Sequence, residues 1–104
     1  MGLNVRWRIV QKDGQEIVEE IHKIVVHSFT MGDVDDPEIY AAQPLWQWQQ
    51  SDAGKFVMEH AVDTPEYHRH LDQQMYGYRY AVTAELEKKK LSEFYLRFDN
   101  KLKL

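Results

Sequence analysis

The sequence contains no cysteine. That excludes a disulfide framework, a thiolate nucleophile, and zinc or iron–sulfur sites built on cysteine. No apolar run approaches the ~20 residues that a membrane-spanning helix requires. The N-terminal stretch MGLNVRWRIVQ alternates instead of forming the apolar block of a signal peptide, and Arg6 stands where a myristoylation motif places Ser or Thr. A cytoplasmic protein is the expected setting. A glycine-rich phosphate loop, a G-x-S-x-G elbow and an H-E-x-x-H helix are all missing, so no cofactor is expected. Basic charge is scarce as well. Thirteen Lys and Arg face 17 Asp and Glu for a formal net charge of −4, which argues against a broad nucleic-acid-binding face.

What the sequence does have is material for one core. The 104 residues are 43% hydrophobic and 12% aromatic. That is the profile of a single domain, residues 1–104, burying roughly two-thirds of its unfolded surface. Its charge is segregated. Residues 31–66 carry eight acids and the single base Lys55, whereas residues 67–104 carry eight bases and five acids. Such a division suits head-to-tail or self-complementary association, although two solvated surfaces would read the same way.

In LNVRWRIV (3–10), Leu3, Val5, Trp7 and Ile9 alternate with Asn4, Arg6 and Arg8, the pattern of a strand with one dry side. KDGQ (12–15) predicts a tight hairpin turn, because Asp-Gly accepts positive φ at both central positions. In EIVEEIHKIVVHSFT (16–30), Ile17, Ile21, Ile24 and Val25 fit a helix. The β-branched density and the preceding turn favour a long strand, with a bulge near Glu19-Glu20.

Asp36-Pro37 has the form of a helix start, with a capping carboxylate and proline at the first helical position. Pro44 is expected to divide a short turn of helix (37–42) from a longer helix over about 44–61. Gly54 marks either a break, with Ser51 capping a second segment, or a close backbone approach. EYHRHLD (66–72) reads as an extended edge. MYGYRYAVTAEL (75–86) is the strongest strand, with Tyr76, Tyr78, Tyr80, Val82, Ala84 and Leu86 on one face. EKKK then reads as a charged turn, and LSEFYLRF (91–98) as a returning strand with Phe94, Leu96 and Phe98 on one face. The expected fold is α+β: an antiparallel sheet of four to five strands, with one helix, whole or broken, packed on one face in the order ββαβ(β).

The segments EIYAAQPLWQWQQSDAGKFVMEH and HRHLDQQMYGYRYAVTAEL resemble small uncharacterised proteins encoded by tailed phages of marine cyanobacteria. The resemblance spans roughly Phe29 to Phe98 and is carried by the W-x-W and YGYRYA segments. It implies a phage-derived protein made in a bacterial cytoplasm, and it brings no family function or functional residues.

Two stretches carry candidate sites. On a strand, His68, His70 and Asp72 project from one face, and these are ligand types for zinc, nickel or ferrous iron. Further ligands would have to come from Glu59, His60, His22 or His27. An inert polar strand face explains the same residues. In Trp46-Gln47-Trp48, a helix sets the two indoles ~200° apart, so both cannot enter one core. One faces the sheet and the other lies against a loop, a partner or water, although two tryptophans filling opposite sides of a covered helix would read the same way. YGYRY suggests a base-stacking platform, but a regular strand turns Arg79 away from the tyrosines. DVDDPE (33–38) lacks the glycine and terminal glutamate of a helix–loop–helix calcium loop. The leading expectation is therefore a non-enzymatic protein–protein interaction module that self-associates as a homodimer, with Trp46 and Tyr40 at the interface. The alternative is a metal-dependent or histidine-based enzyme using His68, His70 and Asp72.

Overall fold

The computed structural model describes residues 4–32, 35–72 and 77–98. Two strands come first, β1 (Val5–Lys12) and β2 (Gln15–Met31), followed by helices α1 (Pro37–Gln50) and α2 (Asp52–His60). Strands β3 (Glu66–Asp72) and β4 (Gly77–Glu87) follow, and α3 (Lys88–Phe98) ends the described chain. The strands form one antiparallel sheet in the order β1-β2-β4-β3.

The turn between β1 and β2 is the one the sequence demands. Asp13 and Gly14 both take positive φ, 52° and 75°, and this twist matches that of the flanking strands. Residues 16–30 are indeed strand. Their irregularity falls at Val26, not near Glu19-Glu20: Val25 pairs with Thr83 and His27 with Val82, so Val26 has no partner of its own. One extra residue shifts the alternation of everything after it. Ile24 pairs with Ala84 before the bulge, and His27 and Phe29 pair with Val82 and Tyr80 after it, so all three point to the same face.

That face carries the core. Val82, Ala84 and Leu86 of β4 meet Trp48 of α1, Phe56 and Val57 of α2, and Phe94 of α3. The register puts Arg6, Arg8, Lys23, Thr83 and Glu85 on the other face. There Ile21 is fully buried, flanked by the Arg6–Glu85 and Arg8–Glu19 ion pairs. The apolar stems of the two arginines can cover it while their charged heads stay wet.

The fold is thus α+β as expected, with three differences. The segment LSEFYLRF is helix and not strand, and the lysines before it form the first turn of α3. Leu91, Phe94, Tyr95 and Phe98 pack on the core at helical spacing, whereas Leu96 is 65% exposed. A stripe of four residues at period 3.6 outweighs one of three at period 2. Next, Pro44 does not divide the helix: α1 runs through it, and the break falls at Ser51. Ser51 Oγ donates to the Trp48 carbonyl at 2.5 Å and accepts from the Gly54 N–H at 3.1 Å. One side chain therefore closes α1 and caps α2. Finally, Asp36 precedes α1 with φ 52° and makes no side-chain cap bond; its backbone carbonyl accepts from the Ile39 N–H instead.

Candidate functional site

Helix α1 presents an unusual outer face. No Asp, Glu, Lys or Arg occurs from Ile39 to Ser51, although 29% of the whole chain is charged. At 100° per residue, Ile39, Tyr40, Gln43, Trp46, Gln47 and Gln50 fall within an arc of ~120°. All six are exposed, Trp46 at 60% and Tyr40 at 61%. Ala41 and Trp48, which are buried, lie on the opposite side of the helix. The packing of Trp48 into the core thus fixes Trp46 outward. The helix is anchored at its start as well: Glu38 accepts two hydrogen bonds from Arg69 Nη1 of β3, at 2.7 and 3.0 Å.

The histidines do not gather. His68 and His70 are exposed on β3, in register with Ala81 and Arg79, on the face away from the helices. His68 Nε2 lies 3.4 Å from the Thr83 hydroxyl. Asp72 pairs with Gly77, and its side chain lies outside the described residues. Each proposed helper sits on the helix side. His22 pairs with Leu86, and its Nε2 lies 2.5 Å from Glu20. His60 rests against the Phe56 ring at 4.6 Å, beside Glu59. His27 pairs with Val82. The sheet itself separates these residues from His68 and His70. Among the described residues, no three side chains capable of ligating a metal converge.

The sequence marks His27 only as a possible helper ligand, yet the structure gives it a pocket. The bulge at Val26 turns its ring toward the helices, where it stacks on Trp48 with centroids 5.6 Å apart and planes 16° from parallel. Phe29 lies 5.9 Å away on the same strand. Beside this stack is a pocket of about 490 Å³ with Gln47, Ser51, Phe94 and Phe98 in its lining. Burial holds the His27 imidazole below its ordinary value of 6.5, so the neutral ring is favoured. Tyr80 is another buried polar group. Its ring stacks on Phe29 at 5.2 Å, its hydroxyl has no partner among the described residues, and burial pushes its phenol up.

Five large apolar side chains are exposed on the β1–β2 hairpin: Trp7, Ile9 and Val18 on one face, and Ile17 and Val25 on the other. Alternation puts Trp7 and Ile9 on the dry face of a sheet, but the helices cover only the part built by β2 and β4. Exposed apolar side chains of this kind are common on protein surfaces, and the hairpin carries charge throughout.

No protein-family model matches the chain, and comparisons with curated proteins and with solved structures likewise return no match. No helix among the described residues is long and apolar enough to cross a membrane.

Proposed function

We propose that the protein is a non-enzymatic protein–protein interaction module that self-associates as a homodimer through the outer face of α1, with Trp46 and Tyr40 at the centre. One observation carries the reading: three large apolar side chains and three glutamines share an exposed arc without a charge. Loss of charge with enrichment in aromatics marks the buried centre of protein interfaces. Ile39 and Trp46 stand two helical turns apart, so an antiparallel pair of α1 helices about a two-fold axis sets Trp46 of each copy against Ile39 of the other. Such self-complementarity is what a closed dimer requires. The glutamines can hydrogen-bond across the rim or to water. The protein's setting, a phage-encoded product in the cytoplasm of a bacterial host, belongs to the same proposal and rests on the sequence resemblance alone.

The test is the mass of the protein in solution measured across a wide concentration range by sedimentation equilibrium. The dimer reading expects a monomer–dimer transition that Trp46→Ala shifts to higher concentration without altering the circular dichroism of the chain. A monomeric mass at every concentration would refute it.

A further inference from the structure

We propose that the pocket between α1, α3 and the bulged part of β2 binds a small neutral aromatic molecule, whose single N–H or O–H group donates to a ring nitrogen of His27. The inference does not rest on self-association. It begins from the bulge at Val26, which leaves Val26 and His27 both opposite Val82 and turns both onto the helix face. Bulges often serve to re-aim a side chain next to a functional site. Without the extra residue, the His27 imidazole would point to the open face of the sheet.

The surroundings define the ligand. The Trp48 indole forms one aromatic wall and is already stacked on His27, and Phe94 and Phe98 supply others. Among the described residues, none in the lining is Asp, Glu, Lys or Arg, so a charged ligand would give up its hydration without compensation from them. Among the described residues, no hydrogen bond reaches the His27 ring. Ser51 is occupied at both ends, by the Trp48 carbonyl and the Gly54 N–H. Gln47, also in the lining, is exposed and keeps its amide in water. Among the described residues, His27 is therefore the half-buried side chain there with capacity to spare, and a neutral imidazole offers one acceptor nitrogen. Aromatic walls with one polar anchor are the usual make-up of a small-molecule pocket. At about 490 Å³ the space admits two or three fused or linked rings.

The probe is N-phenyl-1-naphthylamine, which is neutral, carries one N–H and brightens in apolar surroundings. Its partner is 1-phenylnaphthalene, with the same rings and no N–H, measured by displacement. The proposal expects saturable binding of one amine per chain. It expects the hydrocarbon to bind roughly tenfold more weakly, as fits one hydrogen bond in a desolvated site. His27→Phe, which keeps an aromatic ring against Trp48, should remove that preference while retaining binding of both probes. A readout on the wild type guards against a variant that fails to fold: the His27 ring proton and carbon resonances should move along the same saturation curve. Non-saturable binding, equal affinities for the two probes, or unmoved His27 resonances would each overturn the proposal. Binding that vanishes in step with self-association would also overturn it, assigning the pocket to a side chain of a second copy.

Discussion

Trp46 and Trp48 stand two residues apart on α1 and face opposite ways, the first 60% exposed and the second 7%. Truncating each should therefore have a different consequence. Trp48→Ala removes an indole from the core and from its stack on His27, and a loss of about 3–5 kcal/mol is expected from urea unfolding. Trp46→Ala should change stability by no more than about 0.5 kcal/mol, while weakening self-association at least ~tenfold, as befits an aromatic anchor at an interface centre. Equal losses of stability in both variants would place Trp46 in the core and remove it from the interface.

Gly54 sits where a side chain has no room, because a Cβ there would collide with the Trp48 carbonyl oxygen. Gly→Ala inside an exposed helix ordinarily stabilises by about 1 kcal/mol. Here the sign should reverse. That carbonyl also receives the Ser51 hydroxyl, so it cannot move aside without undoing the link between the helices. Gly54→Ala should lower stability by roughly 1–3 kcal/mol, as overpacking does. A raised melting temperature would show that the two helices have freedom to separate.

The two readings of residues 91–98 can be separated in the same way. As a strand, Phe94 and Leu96 would share the buried face; as α3, Phe94 is 5% and Leu96 65% exposed. Phe94→Ala is expected to cost about 3–5 kcal/mol and Leu96→Ala under about 0.5 kcal/mol. Comparable costs would return this segment to the sheet.

That segment also shows where the sequence is legible and where it is not. The Asp-Gly turn and the alternation of β4 from Tyr78 to Leu86 state their geometry locally, and both stand in the structure; Tyr76 lies outside the described residues. LSEFYLRF satisfies period 2 and period 3.6 at once, and only its packing against Phe56 and Leu86 selects the helix. The bulge at Val26 is invisible for a different reason. Val and Ile occupy both faces around it, so no polar residue reveals that the alternation has slipped. His27 consequently reads as a back-face residue until the register with β4 is known. The outward Trp46 was legible because two residues on a helix span ~200°, a consequence of geometry alone. The absence of charge along that face is also in the sequence, but it becomes a surface only when Trp48 fixes the rotation of α1.

Two pH windows follow from groups whose proton affinity the fold lowers. His27 is held below 6.5 by burial. The unfolded chain therefore takes up a proton on this residue at a pH where the folded chain does not, so its contribution to stability is complete above 6.5 and declines as pH falls through the folded value. Among the described residues, no other side chain lining its pocket is ionisable, which isolates the effect within that lining. Glu85 and Glu19 lie below their ordinary 4.5, held chiefly by hydrogen bonds from Arg6 and Arg8. Their contribution is complete above 4.5 and is lost as pH falls through their folded values. Urea unfolding from about pH 8 down to about pH 3 should therefore show two separate declines. His27→Phe should remove part of the upper decline and leave the lower one unchanged. Glu85→Gln should do the reverse, because its amide has no proton to gain in this range. An upper decline identical in the wild type and His27→Phe would mean that the His27 ring is solvated in the folded chain, which would also weaken the case for His27 as the polar anchor of the pocket beside Trp48.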